Sequence, residues 1–159
     1  MGLRFKNQDY GSCFFVTTSF INNSNFGLID GVYDILVEAI DFRLDKEQSK
    51  LLAYVLMPSH LHMVMLIGGV ALSDSMRDFK KYTAQKHLIE MCKSNPVWQE
   101  RFDRQAVWSY DVLKTKIDYI HNNPVKAGLV DSPERWPYSS AADYMGLGIG
   151  PIEVWKEWR

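Results

Sequence analysis

What this chain lacks narrows its identity quickly. Among its 159 residues there are two cysteines, Cys13 and Cys92, in separate segments and without metal-ligand spacing. A disulfide framework is therefore excluded, and a reducing, cytoplasmic setting is the expectation. No secretory leader is expected, because Arg4 and Lys6 near the N-terminus are followed by no apolar segment. The longest apolar stretch, around Leu61 to Leu72, is interrupted by His62 and Gly68-Gly69, which is too broken to span a membrane. There is no repeat, no low-complexity tract and no Gly/Ser/Pro-rich linker, so residues 1–159 read as one domain with room for its own core.

An excess of positive charge is also missing. The chain carries 18 Lys/Arg against 19 Asp/Glu, a net charge of −1, which at first sight argues against a nucleic-acid partner. The distribution qualifies this. Residues 77 to 126 hold ten Lys/Arg against six Asp/Glu, while the segments on either side are net acidic. A phosphate-binding surface needs local positive charge, not a global excess. On charge alone, a solvated set of helices accounts for the same pattern.

The apolar pattern is informative. Cys13 to Phe20 is rich in aromatic and β-branched residues and predicts a strand. Val32, Ile35, Leu36 and Ala39 recur at helical spacing, predicting a helix over 31–45. Leu51 to Met57 and His60 to Ile67 predict two strands joined in a hairpin by Pro58-Ser59. A long helix to Cys92, capped by Ser73 and Asp74, follows. A further strand is expected near Gln105 to Trp108. The last predicted helix covers 111–122 and is stopped by Asn122-Asn123-Pro124. Strands and helices intermingle without regular βαβ alternation. The expected architecture is α+β, a ferredoxin-like sandwich whose antiparallel or mixed sheet carries helices on one face.

Chemistry concentrates at two places. Along a strand, side chains alternate, so His60 and His62 point to one face about ~7 Å apart, while Leu61, Met63, Met65 and Ile67 form a wholly apolar opposite face. Two imidazoles beside a turn can chelate a divalent cation, but His-x-His pairs arise by chance and this one needs a third ligand. The second place is the 111–122 helix. Leu113, Ile117 and Ile120 form its apolar stripe, and Tyr119 and Asn123 stand four residues apart on a neighbouring face. A phenol beside an amide oxygen suits phosphoryl transfer at a metal. A half-buried tyrosine followed by a helix-stopping asparagine accounts for the same residues.

Taken together, His60-Leu61-His62 and Tyr119-x-x-x-Asn123 resemble the signature of the HUH single-tyrosine transposases. Met57-Pro58-Ser59-His60-Leu61-His62 is similar to the Met-Pro-Asn-His-x-His block of that superfamily, with Ser59 in place of the commoner Asn. Tyr119-Ile120-His121-Asn122-Asn123-Pro124-Val125-Lys126-Ala127-Gly128-Leu129-Val130 resembles a block of the branch associated with repetitive extragenic palindromes (REPs). Trp136-Pro137-Tyr138-Ser139-Ser140 resembles the aromatic-Ser-Ser block that follows it. The Phe14 to Thr18 strand and Trp98-Gln99 also fall where that branch has similar residues.

The resemblance implies a ferredoxin-like catalytic domain that cuts and rejoins single-stranded DNA at hairpins or palindromic repeat ends, acting as a monomer or homodimer. It implies that His60, His62 and Asn123 bind Mg²⁺ or Mn²⁺ and that Tyr119 attacks the phosphodiester to leave a 5′-phosphotyrosine. Arg4, Lys6, Lys80, Lys81, Lys86, Arg101, Arg104, Lys114, Lys116 and Lys126 are candidate phosphate contacts, and Tyr10, Trp98 and Trp108 candidate stacking platforms. His87 and His121 read as surface histidines. A sequence pI near 6.4 departs from the basic family pattern. It leaves open a domesticated, non-catalytic hairpin-binding protein. A related HUH nuclease of the replication or relaxase type is the other alternative. Tyr82, beside Lys80 and Lys81, is the rival nucleophile, but it lacks a ligand-type residue four positions on.

Overall fold

The computed structural model describes residues 12–159. Its principal elements are β1 (Cys13–Ser19), α1 (Val32–Glu47), β2 (Lys50–Leu56), β3 (His60–Leu66), α2 (Leu72–Thr83), α3 (Ile89–Cys92), β4 (Asp103–Ala106), α4 (Tyr110–Lys126) and α5 (Ala141–Tyr144). The strands form one antiparallel sheet in the order β2-β3-β1-β4. The α+β class and the ferredoxin-like strand order are as expected from the sequence.

The helices are not confined to one face, however. Alternation along β3 sends Leu61, Met63 and Met65 into a core shared with Leu36 and Ile40 of α1 and Met76 and Phe79 of α2. Val64 and Leu66 enter a second core with Leu113, Ile117 and Ile120 of α4. The histidine-bearing face is polar only at its start. Beyond the imidazoles it needs an apolar cover, which the stripe of α4 supplies. β2 contributes Leu51 and Leu56 to the first core and Leu52, Ala53 and Val55 to the second, so it reads as a continuous apolar run.

Several boundaries differ from expectation. Ser73 and Asp74 lie inside α2, whose N-cap is Ala71, and neither caps it. The expected long helix is interrupted after Thr83 by a π turn over Ala84–Leu88 before α3. The Thr83 hydroxyl donates to the Phe79 carbonyl and accepts from Trp98 Nε1 at this break. β4 begins two residues earlier than predicted.

α4 is the most consequential correction. Ser109 caps its start by accepting from the Val112 N–H at 3.2 Å. The helix then runs through Pro124 to Lys126 instead of stopping at Asn122. Proline lies in the final turn, and the chain beyond it still bonds back: Ala127 N–H donates to the Asn123 carbonyl and Leu129 N–H to that of Pro124. Gly128, at φ +75°, then makes the left-handed exit. Asn123 is thus a helical residue, rigidly placed one turn beyond Tyr119.

Candidate active site

The site forms where the start of β3 meets the C-terminal half of α4. The hairpin fixes β3, and antiparallel pairing sets Thr17 of β1 opposite His62 and Ser19 opposite His60. The two imidazoles stand edge to face, with ring centroids 4.7 Å apart. Tyr119 meets the His62 ring edge to face, with centroids 5.4 Å apart. Phe15 stacks on His62 at 5.4 Å and meets Tyr119 edge-on at 5.9 Å. The side chain of Asn123 hydrogen-bonds the His60 ring. The four residues singled out by the sequence are therefore brought together, and Tyr119 remains 44% exposed to solvent.

Each imidazole is held by a hydroxyl. His62 Nδ1 shares a hydrogen bond with Thr17 Oγ1 at 2.7 Å, and His60 Nδ1 one with Ser59 Oγ at 3.0 Å. The serine that departs from the motif thus still has a partner in the site. Burial, assisted by the neighbouring His60 and Lys116, pulls the His62 pKa down to about 3. Burial also lowers that of His60, partly offset by the bond to Asn123. Both rings are therefore neutral at physiological pH, the state in which an imidazole nitrogen is a ligand.

This chemistry fits a divalent cation. His62 Nε2 is buried and has no hydrogen-bond partner, and a buried polar atom without one carries a desolvation cost that a bound ion would relieve. Among the described residues no three His, Cys, Asp or Glu side chains gather. A cation held by the two imidazoles would find the Asn123 amide, which contacts the His60 ring, as its nearest further protein donor. A mixed imidazole and oxygen set, completed by water, suits a hard or borderline ion.

The other candidates do not form one surface. Lys114, Lys116 and Lys126 share α4 with Tyr119. Lys116 Nζ sits 4.8 Å from the centroid of the Phe15 ring, beside the site. Lys81 and Lys86 are exposed on the α1–α2 side, and Arg104 pairs in register with Val16 and so points to that same side. Arg101 is exposed in the loop before β4. Lys80 is occupied, donating to the carbonyls of Gln99 at 2.7 Å and Arg101 at 3.3 Å. Arg4, Lys6 and Tyr10 lie outside the described residues. Trp98 is buried, stacked 4.4 Å from Phe20, and is a core residue instead of a platform, whereas Trp108 is exposed. His121 is buried too, with Nε2 2.8 Å from Ser140 Oγ, and is not a surface histidine. Tyr82 packs against the α1–α2 core, on the far side of the sheet from the imidazoles.

Sequence reasoning missed Thr17 and Phe15. Their alternation on β1 was visible, but which face they share with His62 depends on the β1–β3 register, which no local pattern encodes.

A four-stranded ferredoxin-like sheet with a histidine pair on a central strand, faced by a tyrosine–amide pair on a helix, defines the class. Comparison with known proteins supplies the kin. The chain is 28% identical over 145 residues to the REP-associated tyrosine transposase of Escherichia coli (strain K12), covering 90% of this chain and 84% of that protein. The solved structure of a REP-associated tyrosine transposase bound to a REP hairpin superposes with a TM-score of 0.74 at 26% identity, over all of this chain and 94% of the other. A Deinococcus radiodurans protein provisionally described as a transposase shares the fold, with a TM-score of 0.53 at 17% identity over 76% of this chain and 96% of its own. No family model matches. In sequence and fold alike, this chain is similar to the REP-associated tyrosine transposases. No described helix is long and apolar enough to cross a membrane.

Proposed function

We propose that the protein cleaves and rejoins single-stranded DNA at hairpin or palindromic ends through a covalent 5′-phosphotyrosine link. The observation that carries this reading is the convergence of Tyr119, His60, His62 and Asn123 from two distant segments, with both imidazoles neutral. His60, His62 and Asn123 would hold Mg²⁺ or Mn²⁺. Such an ion, when bound, withdraws charge from the scissile phosphate. The Tyr119 hydroxyl attacks phosphorus, the Tyr–O–P bond forms, the P–O3′ bond breaks, and the departing 3′ oxygen takes up a proton. A 3′-OH attacking the link reverses the step, so rejoining requires no nucleotide cofactor. Lys116, held over Phe15, contributes positive charge where the phosphate arrives. Placing Tyr119 and Asn123 on one helical turn fixes nucleophile and ligand together, and a misplacement of about 1 Å can cost on the order of 100-fold.

The test is incubation with labelled hairpin oligonucleotides bearing single-stranded flanks, with Mg²⁺ or Mn²⁺ and with EDTA, read on a denaturing gel. A metal-dependent covalent adduct is expected, lost in Tyr119→Phe with hairpin binding retained and little changed in Tyr82→Phe. An adduct undiminished in Tyr119→Phe, or cleavage persisting in EDTA, overturns the reading.

A further inference from the structure

α4 has two working flanks. Tyr119, Asn123 and Lys116 face β1 and the imidazoles. On the other flank, Tyr110, Lys114, Ile117 and Asp118 line an open cavity of about 750 Å³, closed on its far side by Trp158 and Arg159 from the C-terminal tail. Tyr144 forms the back wall, anchored by its hydroxyl to the Leu52 carbonyl at 2.6 Å. Trp158 Nε1 donates to that same hydroxyl at 3.2 Å, and the Arg159 guanidinium lies 4.6 Å over the Tyr144 ring. These contacts build the wall and hold its aromatic and guanidinium planes in place.

We infer that this cavity takes an unpaired nucleobase of the DNA strand processed at Tyr119. The inference rests on the proposed function and adds a second contact point to it. The lining is mostly apolar and aromatic, with Tyr110, Trp158 and the Arg159 plane as stacking surfaces, and bases splayed from single strands stack on such planes. Lys114 and Arg159 place positive charge around it, matching the phosphates on either side of a base. Among the described residues Asp118 is the acidic member of the lining, and it decides which part of the nucleotide enters. Its carboxylate repels a phosphate but accepts N–H donors from a base edge. Asp118 also neighbours Tyr119 in sequence, so a strand crossing α4 presents a phosphate to one flank and a base to the other. The cavity thereby sets which phosphodiester reaches the nucleophile.

The experiment uses the full chain and hairpin oligonucleotides carrying 2-aminopurine at successive single-stranded flanking positions. One position is expected to be quenched on binding, unaltered in Tyr119→Phe and relieved in Tyr110→Ala. Cleavage by Tyr110→Ala should spread from one phosphodiester to its neighbours. Trp158→Ala provides a second variant on the opposite wall, and circular dichroism checks that each variant is folded. Hairpin binding in which no position depends on Tyr110 or Trp158 overturns the cavity assignment alone. Failure of the wild-type chain to bind any hairpin or single strand at low salt overturns it together with the reading on which it rests.

Discussion

The two faces of the central sheet are built from the same strand and do different work. On the α1–α2 face, Leu61, Met63 and Met65 of β3 are buried among apolar side chains and do nothing but pack. On the α4 face, Val64 and Leu66 pack in the same way, while His62 and His60 at the start of the strand have their rings held by hydroxyls. One residue step along β3 therefore separates stability from chemistry. A half-apolar, half-polar face lets a helix dock firmly at one end and carry reactive groups over the other.

The sharpest way to break this comparison is to truncate adjacent residues. His62→Ala should lower metal-dependent cleavage by at least about 100-fold while leaving the denaturation midpoint nearly unchanged. Met63→Ala, one position along, should cost about 2–5 kcal/mol of stability and spare cleavage at temperatures where the variant is folded. Parallel urea titrations and cleavage assays read both, and equal destabilisation by the two would dissolve the distinction.

A smaller effect is expected from Thr17→Val. It removes only the hydroxyl that orients His62, and losing a group that holds a metal-binding imidazole in place costs about 10- to 100-fold in metal affinity or activity. Titration of Mn²⁺ against cleavage should show the loss as a shift in the metal midpoint, and an unchanged midpoint would leave Thr17 without a role.

The α4 face should also be the acid-sensitive one. Burial pulls His121 down to about 4, so the folded state resists a proton that the unfolded chain accepts at about 6.5. The stability contributed is complete above pH 6.5, falls as pH drops through that value, and levels off near pH 4. A loss of about 2 kcal/mol between pH 7 and 5 is expected from this group, and His121→Gln should remove that share of the slope while leaving the share due to His60 and His62.

The smallest effect sharpens the comparison by charge. Lys114→Ala and Lys126→Ala, on α4, should each reduce the salt dependence of hairpin binding by about 0.7–0.9 in log–log slope, whereas Lys81→Ala on the α1–α2 side should not. Equal slopes for all three would mean that DNA does not choose between the faces.

Much of this was legible in the sequence because strand alternation is a short-range property. The apolar set of β3 and the stripe Leu113, Ile117 and Ile120 follow from periods of two and 3.6 residues, and the structure buries them as read. Apart from a local misreading at Pro124, what failed was whatever depended on partners distant in sequence. Pro124 looked like a stop signal, yet it is accommodated in the last turn. Lys80 and Trp98 looked available to DNA, yet one is tied to two carbonyls and the other stacked in the core. The cover that α4 gives the second face required knowing that a helix beginning at Tyr110 returns over a strand beginning at His60. The meeting of Tyr119 and His62 was suggested by motif resemblance and not by any local rule.

The way α4 is attached has a thermal consequence. Among the described residues no main-chain hydrogen bond runs from α4 to the sheet, so its position rests on side-chain contacts: the packing of Leu113, Ile117 and Ile120 against β2 and β3, and the bonds of Asn123 to His60 and of His121 to Ser140. The spacing between Tyr119 and the imidazoles is therefore set by side-chain contacts, which loosen on warming before strands separate. Cleavage should fade several degrees below the melting transition. Trimming Ile117 to valine should lower the temperature optimum more than it lowers the melting point, so a screen that scored only folding would pass over the residues that keep this site in alignment.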